Sequence, residues 1–355
     1  MNQGFSSTSS GVVLSLAQLN EITLDKPRGT VTLGTGNRWG DVYRALAPHG
    51  FAVAGGRGSS VGVGGLSLGG GFSFFLYEHG FSCDNIVEYT VATAKGEVFS
   101  VTETAHPELF LALKGSGAPF VLVLSFTYKL ILLEDPAGVV YGGAMMSGHK
   151  ALPAVLDSVT AIASGNEDVK AHVLTLVFYT FGNDEKTVIS TIPTNYVFYQ
   201  RPLADTPAAL QPLVDAHNFD LLHSTVGNRS IASITDEIVA QGEGMRQFML
   251  QWTIVDPTTE VVAEMERITR EEVAKTMLVV PEFVVVLTLV PIGAEAVRKG
   301  RNVLGLEKGR RYLSMSYNVV TGKVEDDEVI LEAVRRGKRK CAEYLKKTGH
   351  WSPWT

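Results

Sequence analysis

Short apolar runs punctuated by glycine fill the first third of the chain, and longer amphipathic stretches fill the rest. Gly11 to Leu16 and Thr30 to Leu33 read as strands rich in β-formers. Asn37 is placed to cap a helix over 38–46, which Pro48 and Gly50 stop. Phe51 to Ala54 returns as a strand. Ile86 to Thr93 and Glu97 to Val101 predict a hairpin around Lys95-Gly96. Pro107 suits the first position of a short helix, and Ala118 to Leu130 reads as a buried strand. Beyond residue 138, strands predicted at 138–145, 171–181, 247–255, 283–291 and 311–319 alternate with helices at 150–164, 206–218, 230–241 and 257–275. Asp256-Pro257-Thr258-Thr259-Glu260 marks a helix start, with a cap, a proline at the first position and an acid in the first turn. The last helix, 325–347, is acidic at its start and basic at its end, as the macrodipole favours.

Strands this far apart cannot be simple hairpins. The pattern predicts an α+β fold in which an antiparallel sheet is covered by helices on one face. A length of 355 residues suggests two domains. The 31 basic and 37 acidic side chains leave a net charge of −6, which argues against nucleic acid as a partner. Two cysteines, Cys83 and Cys341, cannot build a disulfide framework or a four-thiolate zinc site. The histidines form no metal-ligand motif, and no apolar run is long enough for a membrane span. The first residues lack the basic start and apolar stretch of a secretory signal, so the sequence names no compartment.

The chemistry concentrates in one tract, Gly55-Gly56-Arg57-Gly58-Ser59-Ser60-Val61-Gly62-Val63-Gly64-Gly65-Leu66-Ser67-Leu68-Gly69-Gly70-Gly71. So many glycines are entropically expensive, and what they permit is close approach of backbone N–H groups to a ligand such as a pyrophosphate. The dinucleotide fingerprint fails here, because Ser67 stands where its third glycine belongs. A Walker loop fails for want of Gly-Lys-Ser/Thr. Gly65-Leu66-Ser67-Leu68-Gly69 does match a hydrolase nucleophile elbow on paper, but the glycines on either side interrupt the strand and the helix that motif needs.

The run Val61 to Gly71 resembles the second flavin-contacting loop of the oxygen-dependent FAD-linked oxidoreductases. These are the berberine-bridge-enzyme-like flavoproteins, whose FAD domain is of the vanillyl-alcohol-oxidase (PCMH) type. Three further segments resemble that family in the same order: Trp39-Gly40-Asp41-Val42-Tyr43, Gly80 to Val87, and Pro107 to Gly115. Asn302-Val303-Leu304-Gly305-Leu306 resembles fungal members. The resemblance implies an FAD-binding domain over 1–133, a substrate domain over 134–324, and a C-terminal helix over 325–355 that returns to the FAD domain. It implies an enzyme that passes a hydride from a small metabolite to FAD, with O2 as acceptor, in secondary metabolism. Its cofactor contacts would be Val61, Gly62, Gly64, Gly65, Leu66, Ser67, Gly69, Gly70, Gly71, Asp84, Asn85, Ile86 and Val123.

Several departures bear on that expectation. Gly58 stands where bicovalent members carry cysteine, so FAD is expected to be held non-covalently. Val121 replaces a glycine of the family pattern. The family's Arg-Gly-Gly-Gly-His loop would precede Met1 and its active-site tyrosine would follow Thr355, so the chain reads as truncated at both ends. This raises the alternative of a non-catalytic remnant. For the substrate side, Tyr179, Gln251, Tyr312 and Tyr317 lie on predicted strands where alternate positions could face the flavin. Each also reads as a polar side chain satisfied within the core.

Overall fold

The computed structural model describes residue 8 and residues 10–117, 119–165, 168–181, 189–238, 246–280 and 283–352. Met1 to Phe5, Ala118, Pro281-Glu282, Trp354 and the end of the helix predicted over 230–241 lie outside the described residues.

The first layer is a five-stranded sheet. Its strands are β1 (Ile22–Asp25), β2 (Thr30–Gly34), β4 (Ile86–Ala92), β5 (Val98–Thr102) and β6 (Leu122–Lys129), in the order β1-β2-β6-β4-β5. Every pair is antiparallel. A small ribbon of β3 (Phe51–Ala52) and β7 (Ile131–Leu132) accompanies it. Helices α1 (Trp39–Leu46), α2 (Val63–Leu68), α3 (Leu76–His79) and α4 (Pro107–Ala112) complete the layer. Its core gathers Val31, Leu33, Trp39, Tyr43, Tyr89, Phe126 and Tyr128, all within 1% of full burial.

Two local expectations change here. Gly11 to Leu16 is not a strand; Val12, Val13 and Leu14 are exposed, and the first strand begins at Ile22. Asn37 does not cap α1. Its amide instead donates to the carbonyls of Gly34 and Glu21 and pins the turn below the helix.

The second layer is one large antiparallel sheet in the order β11-β8-β10-β9-β14-β15-β13, with β12 also pairing β8. The strands are β8 (Val139–Ser147), β9 (Ala171–Phe181), β10 (Ile189–Tyr199), β11 (Leu221–Ser224), β12 (Gly227–Ser230), β13 (Arg246–Val255), β14 (Phe283–Ile292) and β15 (Tyr312–Thr321). Between them run α5 (Leu152–Gly165), α6 (Gln211–Asn218), α7 (Ile231–Glu237), α8 (Thr259–Met277) and α9 (Ala294–Lys299). The chain's last helix is α10 (Asp327–Thr348).

Strand alternation sends Leu313, Met315, Tyr317 and Val319 of β15, with Val173, Val177 and Tyr179 of β9, toward α5, α6, α8 and α10. The opposite face meets the first layer through Leu174, Tyr196 and Val290 against Phe72. Helices on one face of an antiparallel sheet are what the strand spacing predicted.

Two further details differ from expectation. The cap of α8 is Thr258, which accepts from the Val261 N–H, so the helix starts two residues later than an Asp256 cap would put it. The C-terminal helix does not return to the first layer. Ile330, Val334, Cys341 and Leu345 bury themselves against α8 and the large sheet, because that stripe is the apolar face of an otherwise charged helix.

Candidate functional site

The glycine tract folds into a loop and then α2, a helix that its glycines made hard to foresee. The tract's glycines divide into two groups. At Gly62 and Gly65 an added Cβ would meet no atom within 4 Å. Both residues are exposed, as are Val61 and Gly69, so one side of α2 presents bare backbone to the outside. Elsewhere the missing Cβ makes room for the protein itself. A Cβ on Gly64 would sit 2.5 Å from Thr35 Oγ1, one on Gly58 2.9 Å from the Ile238 carbonyl, and one on Gly56 2.7 Å from Leu66 Cδ1. Bare backbone that no described residue covers fits a group needing close amide contact, and a pyrophosphate is such a group.

Ser67 takes no part in that edge. It is fully buried inside α2, and its hydroxyl lies 2.6 Å from both the Val63 carbonyl and Tyr128 Oη. The hydrolase-elbow reading is therefore corrected. A nucleophile must be exposed at a strand-to-helix turn, and this serine is part of the core.

The far end of the tract is locked by a segment some 230 residues away. Leu304 fills the hollow left by Gly70 and Gly115, where added Cβ atoms would lie 3.0 and 2.7 Å from its side chain. The Val303 N–H donates to the Lys114 carbonyl at 3.0 Å. Asp84 accepts from the Arg301 N–H at 2.9 Å and from the Asn302 amide at 2.9 and 3.0 Å, besides the Phe81 N–H at 2.9 Å. Asn85 donates to the carbonyls of His79 and Phe81.

Asp84 and Asn85 thus spend their polar groups on the protein. Ile86 and Val123 lie in the first-layer core. Leu304→Ala is expected to cost about 2 kcal/mol through the void beside Gly70 and Gly115. The check is a urea titration, in which an unchanged midpoint would mean that the hollow collapses freely.

On the second sheet, the four residues expected to face a ligand fall on opposite sides. Tyr179 and Tyr317 point into the helix-covered core, where the Tyr317 hydroxyl lies 2.9 Å from Thr269 Oγ1. They are corrected to core residues, because their strand positions carry the same alternation as Val177 and Val319. Tyr312 faces the other way but is buried among first-layer residues, and its hydroxyl accepts from the Glu307 N–H. Gln251 alone lies on the open part of the sheet, paired in register with Ser316. Beside it the Asn318 amide donates to Thr288 Oγ1 at 2.7 Å, and Met249 is 51% exposed. Asn318 and Thr288 were not foreseen; the signal for Asn318 was polar residues recurring every second position with Ser314 and Ser316, and for Thr288 a lone polar residue within an apolar strand.

One further residue joins the two layers. Arg57, from the glycine tract, points its guanidinium at His172 Nε2 of β9, 3.2 Å away, and lies over the Phe72 ring at 5.4 Å from its centre. An arginine in a glycine tract without a nearby acid was visible in the sequence, whereas nothing marked His172. Burial pulls the Arg57 pKa down to about 9 and, with help from the Arg57 charge, holds His172 well below the usual imidazole range. His172 is therefore neutral, accepts the arginine's N–H at Nε2, and keeps its proton on Nδ1.

Residues 1–102 match the FAD binding domain family. An FAD-dependent monooxygenase of Aspergillus calidoustus is 29% identical over 334 residues, covering 92% of this chain and 61% of its own length. An FAD-dependent monooxygenase of Fusarium proliferatum is 26% identical over 374 residues, covering 99% of this chain and 68% of its own length. The chain thus spans roughly two thirds of these curated relatives.

Among solved structures, 6-hydroxy-D-nicotine oxidase from Arthrobacter nicotinovorans superposes with a TM-score of 0.72 at 19% identity, over 99% of this chain and 73% of that one. Berberine bridge enzyme from Eschscholzia californica gives 0.69 at 16% identity, over 98% of this chain and 68% of that one. These two show the shared fold. Relatives described as enzymes that align along almost the whole chain do not favour the remnant reading. Among the described residues, no helix is long and apolar enough to cross a membrane.

Proposed function

We propose that the chain, whose residues 1–102 match the FAD binding domain family, is an FAD-linked oxidoreductase that oxidises a small metabolite by hydride transfer to FAD, with O2 as acceptor, in secondary metabolism. The observation that carries this reading is the bare edge of α2 at Gly62 and Gly65, where no described residue comes within 4 Å of an added Cβ. FAD, when bound, supplies the hydride acceptor; the protein's part is to bind, orient and exclude water.

In this reading the amides of Gly62, Gly64 and Gly65 hold the pyrophosphate, because those of Val61, Val63 and Gly69 already donate to the carbonyls of Gly58, Asn37 and Gly65. Gln251 and Asn318, whose amide N–H groups donate to Ser314, Thr288 and Ser316, present their amide carbonyls from the open sheet face, and Thr288 presents its hydroxyl proton; these orient a polar substrate. Met249 and Phe178, on the same face, supply apolar contact. Attachment of FAD is non-covalent. Cys83 and Cys341 are both buried, and burial raises both thiols, Cys341 to about 12, so neither offers a thiolate.

The test is a visible absorption spectrum of the purified chain before and after acid precipitation. Flavin absorbance released to the supernatant is the expected result. Colour kept in the pellet would contradict the non-covalent reading. A colourless protein that takes up no added FAD would overturn the proposal.

A further inference from the structure

Arg57 is the one cation of the glycine tract, and it is placed unlike the other arginines near it. Arg44 pairs with Asp41 and Asp236, and Arg229 with Glu237. Arg57 has no carboxylate within ion-pair distance among the described residues; its polar contact is the neutral His172 ring. A guanidinium carries five N–H donors in a planar fork, and His172 occupies one. The Phe72 ring backs its face, which orients the fork without neutralising it. Arg57 is half-buried, and holding a charge there without a counter-ion is costly, so a fold that does so gains when an anion arrives. The position matters too. Arg57 reaches from the loop before α2 to the face of the large sheet that carries His172, Leu174 and Leu176, so its fork lies at the seam between the two layers.

We propose that Arg57 is an anion-binding residue whose fork receives a planar oxyanion at the seam between the two layers. The shared chemistry is a planar, negatively charged edge with two adjacent acceptor atoms, and two sources present it: the carboxylate of an acidic substrate, or the edge of the FAD ring where negative charge gathers on reduction. The second source rests on the function proposed above; the first does not require it.

Two titrations separate these sources. The FAD-free chain is titrated with sodium benzoate by calorimetry, as wild type, Arg57→Gln and Arg57→Lys. The FAD-loaded chain is titrated with sulfite, whose addition to the ring places negative charge at that same edge, and bleaching near 450 nm is read. Benzoate binding that weakens at least tenfold in Arg57→Gln, and less in Arg57→Lys, assigns the site to a carboxylate substrate. A tenfold rise in the sulfite needed for half-bleaching, with benzoate unaffected, assigns it to the flavin edge. No benzoate binding attributable to Arg57, together with an unchanged sulfite response, overturns the proposal. Should the chain take up no FAD, the function proposed above fails while benzoate still decides the matter: binding that depends on Arg57 sustains the proposal, and its absence overturns it. Should Arg57→Gln fail to fold, Arg57→Lys carries the comparison, because an ammonium keeps the charge but loses the fork.

Discussion

Gly65→Val is expected to strip the protein of FAD while leaving its fold intact. Nothing lies within 4 Å of the position its Cβ would take, so the side chain has room in the protein itself. The residue is exposed and sits inside α2, where replacing glycine favours the helix by a few tenths of a kcal/mol, about 0.5. The isopropyl group would instead stand where a ligand must touch the backbone. Blocking that approach should lower FAD affinity at least tenfold, about 1.4 kcal/mol.

The matched control is Gly71→Ala. There φ is +77°, and the new methyl would collide with Leu66 Cδ2 and lie 2.7 Å from Ser82 Cβ. Ser82 cannot retreat, because its N–H is bonded to the Gly71 carbonyl at 2.9 Å. Left-handed strain and overpacking together should cost roughly 3 kcal/mol. The two variants therefore separate a ligand-facing glycine from a packing glycine. Flavin content per chain and melting temperature are measured on each. If Gly65→Val keeps full flavin content, the open edge of α2 is not where FAD lies.

That separation was not available in the sequence, where Gly62, Gly65, Gly70 and Gly71 look alike. Which of them faces outward depends on Thr35, Ser82 and Leu304, brought in from elsewhere in the chain. The α+β class was legible because strand and helix periods alternate cleanly after residue 138. The parity of a strand was legible as well, but not which parity faces the helices. Tyr317 and Ser316 are neighbours on one strand, and only the position of α8 and α10 decides that the tyrosine is core. Strand β10 was missed because Pro193 and Asn195 weaken its pattern. In the fold Pro193 pairs with Val177 of β9 but lies just beyond the last pairing with β8, so its missing N–H breaks no bond on that side. Asn195 is buried for a reason no local pattern encodes: it belongs to a polar chain between strands and helix.

That chain predicts a marked acid sensitivity. His217 of α6 is fully buried, with Nδ1 2.7 Å from Ser147 Oγ and Nε2 2.7 Å from Asn195 Oδ1. Asn195 in turn donates to Thr175 Oγ1 at 2.6 Å. The amide oxygen requires the imidazole proton on Nε2, so the serine hydroxyl donates to Nδ1 and the ring is neutral. Burial lowers its pKa to about 4. An unfolded histidine titrates near 6.5, so between about pH 6.5 and about 4 the unfolded chain holds a proton that the folded chain refuses. The stabilisation is complete above 6.5 and is lost as pH falls through 4, amounting to roughly 3 kcal/mol at the bottom of that window. His172, held low by burial and by Arg57, adds to the loss in the same direction.

Carboxylates act lower and with both signs. Glu272, held down to about 2 by Lys340 and Arg336 against the cost of its burial, loses its contribution as pH falls from about 4.5 toward 2. Burial raises Asp84 and Glu266, and each opposes the histidines as it takes up its proton. The total curve therefore mixes terms, and the difference between wild type and His217→Gln isolates one. Glutamine keeps a donor and an acceptor but does not titrate, so urea unfolding from pH 7 to pH 4.5 should show a shallower loss of stability in the variant. Equal slopes in the two proteins would mean that His217 takes up its proton in the folded state as readily as in the unfolded one, and that the buried chain of Ser147, His217 and Asn195 opens to water below neutral pH.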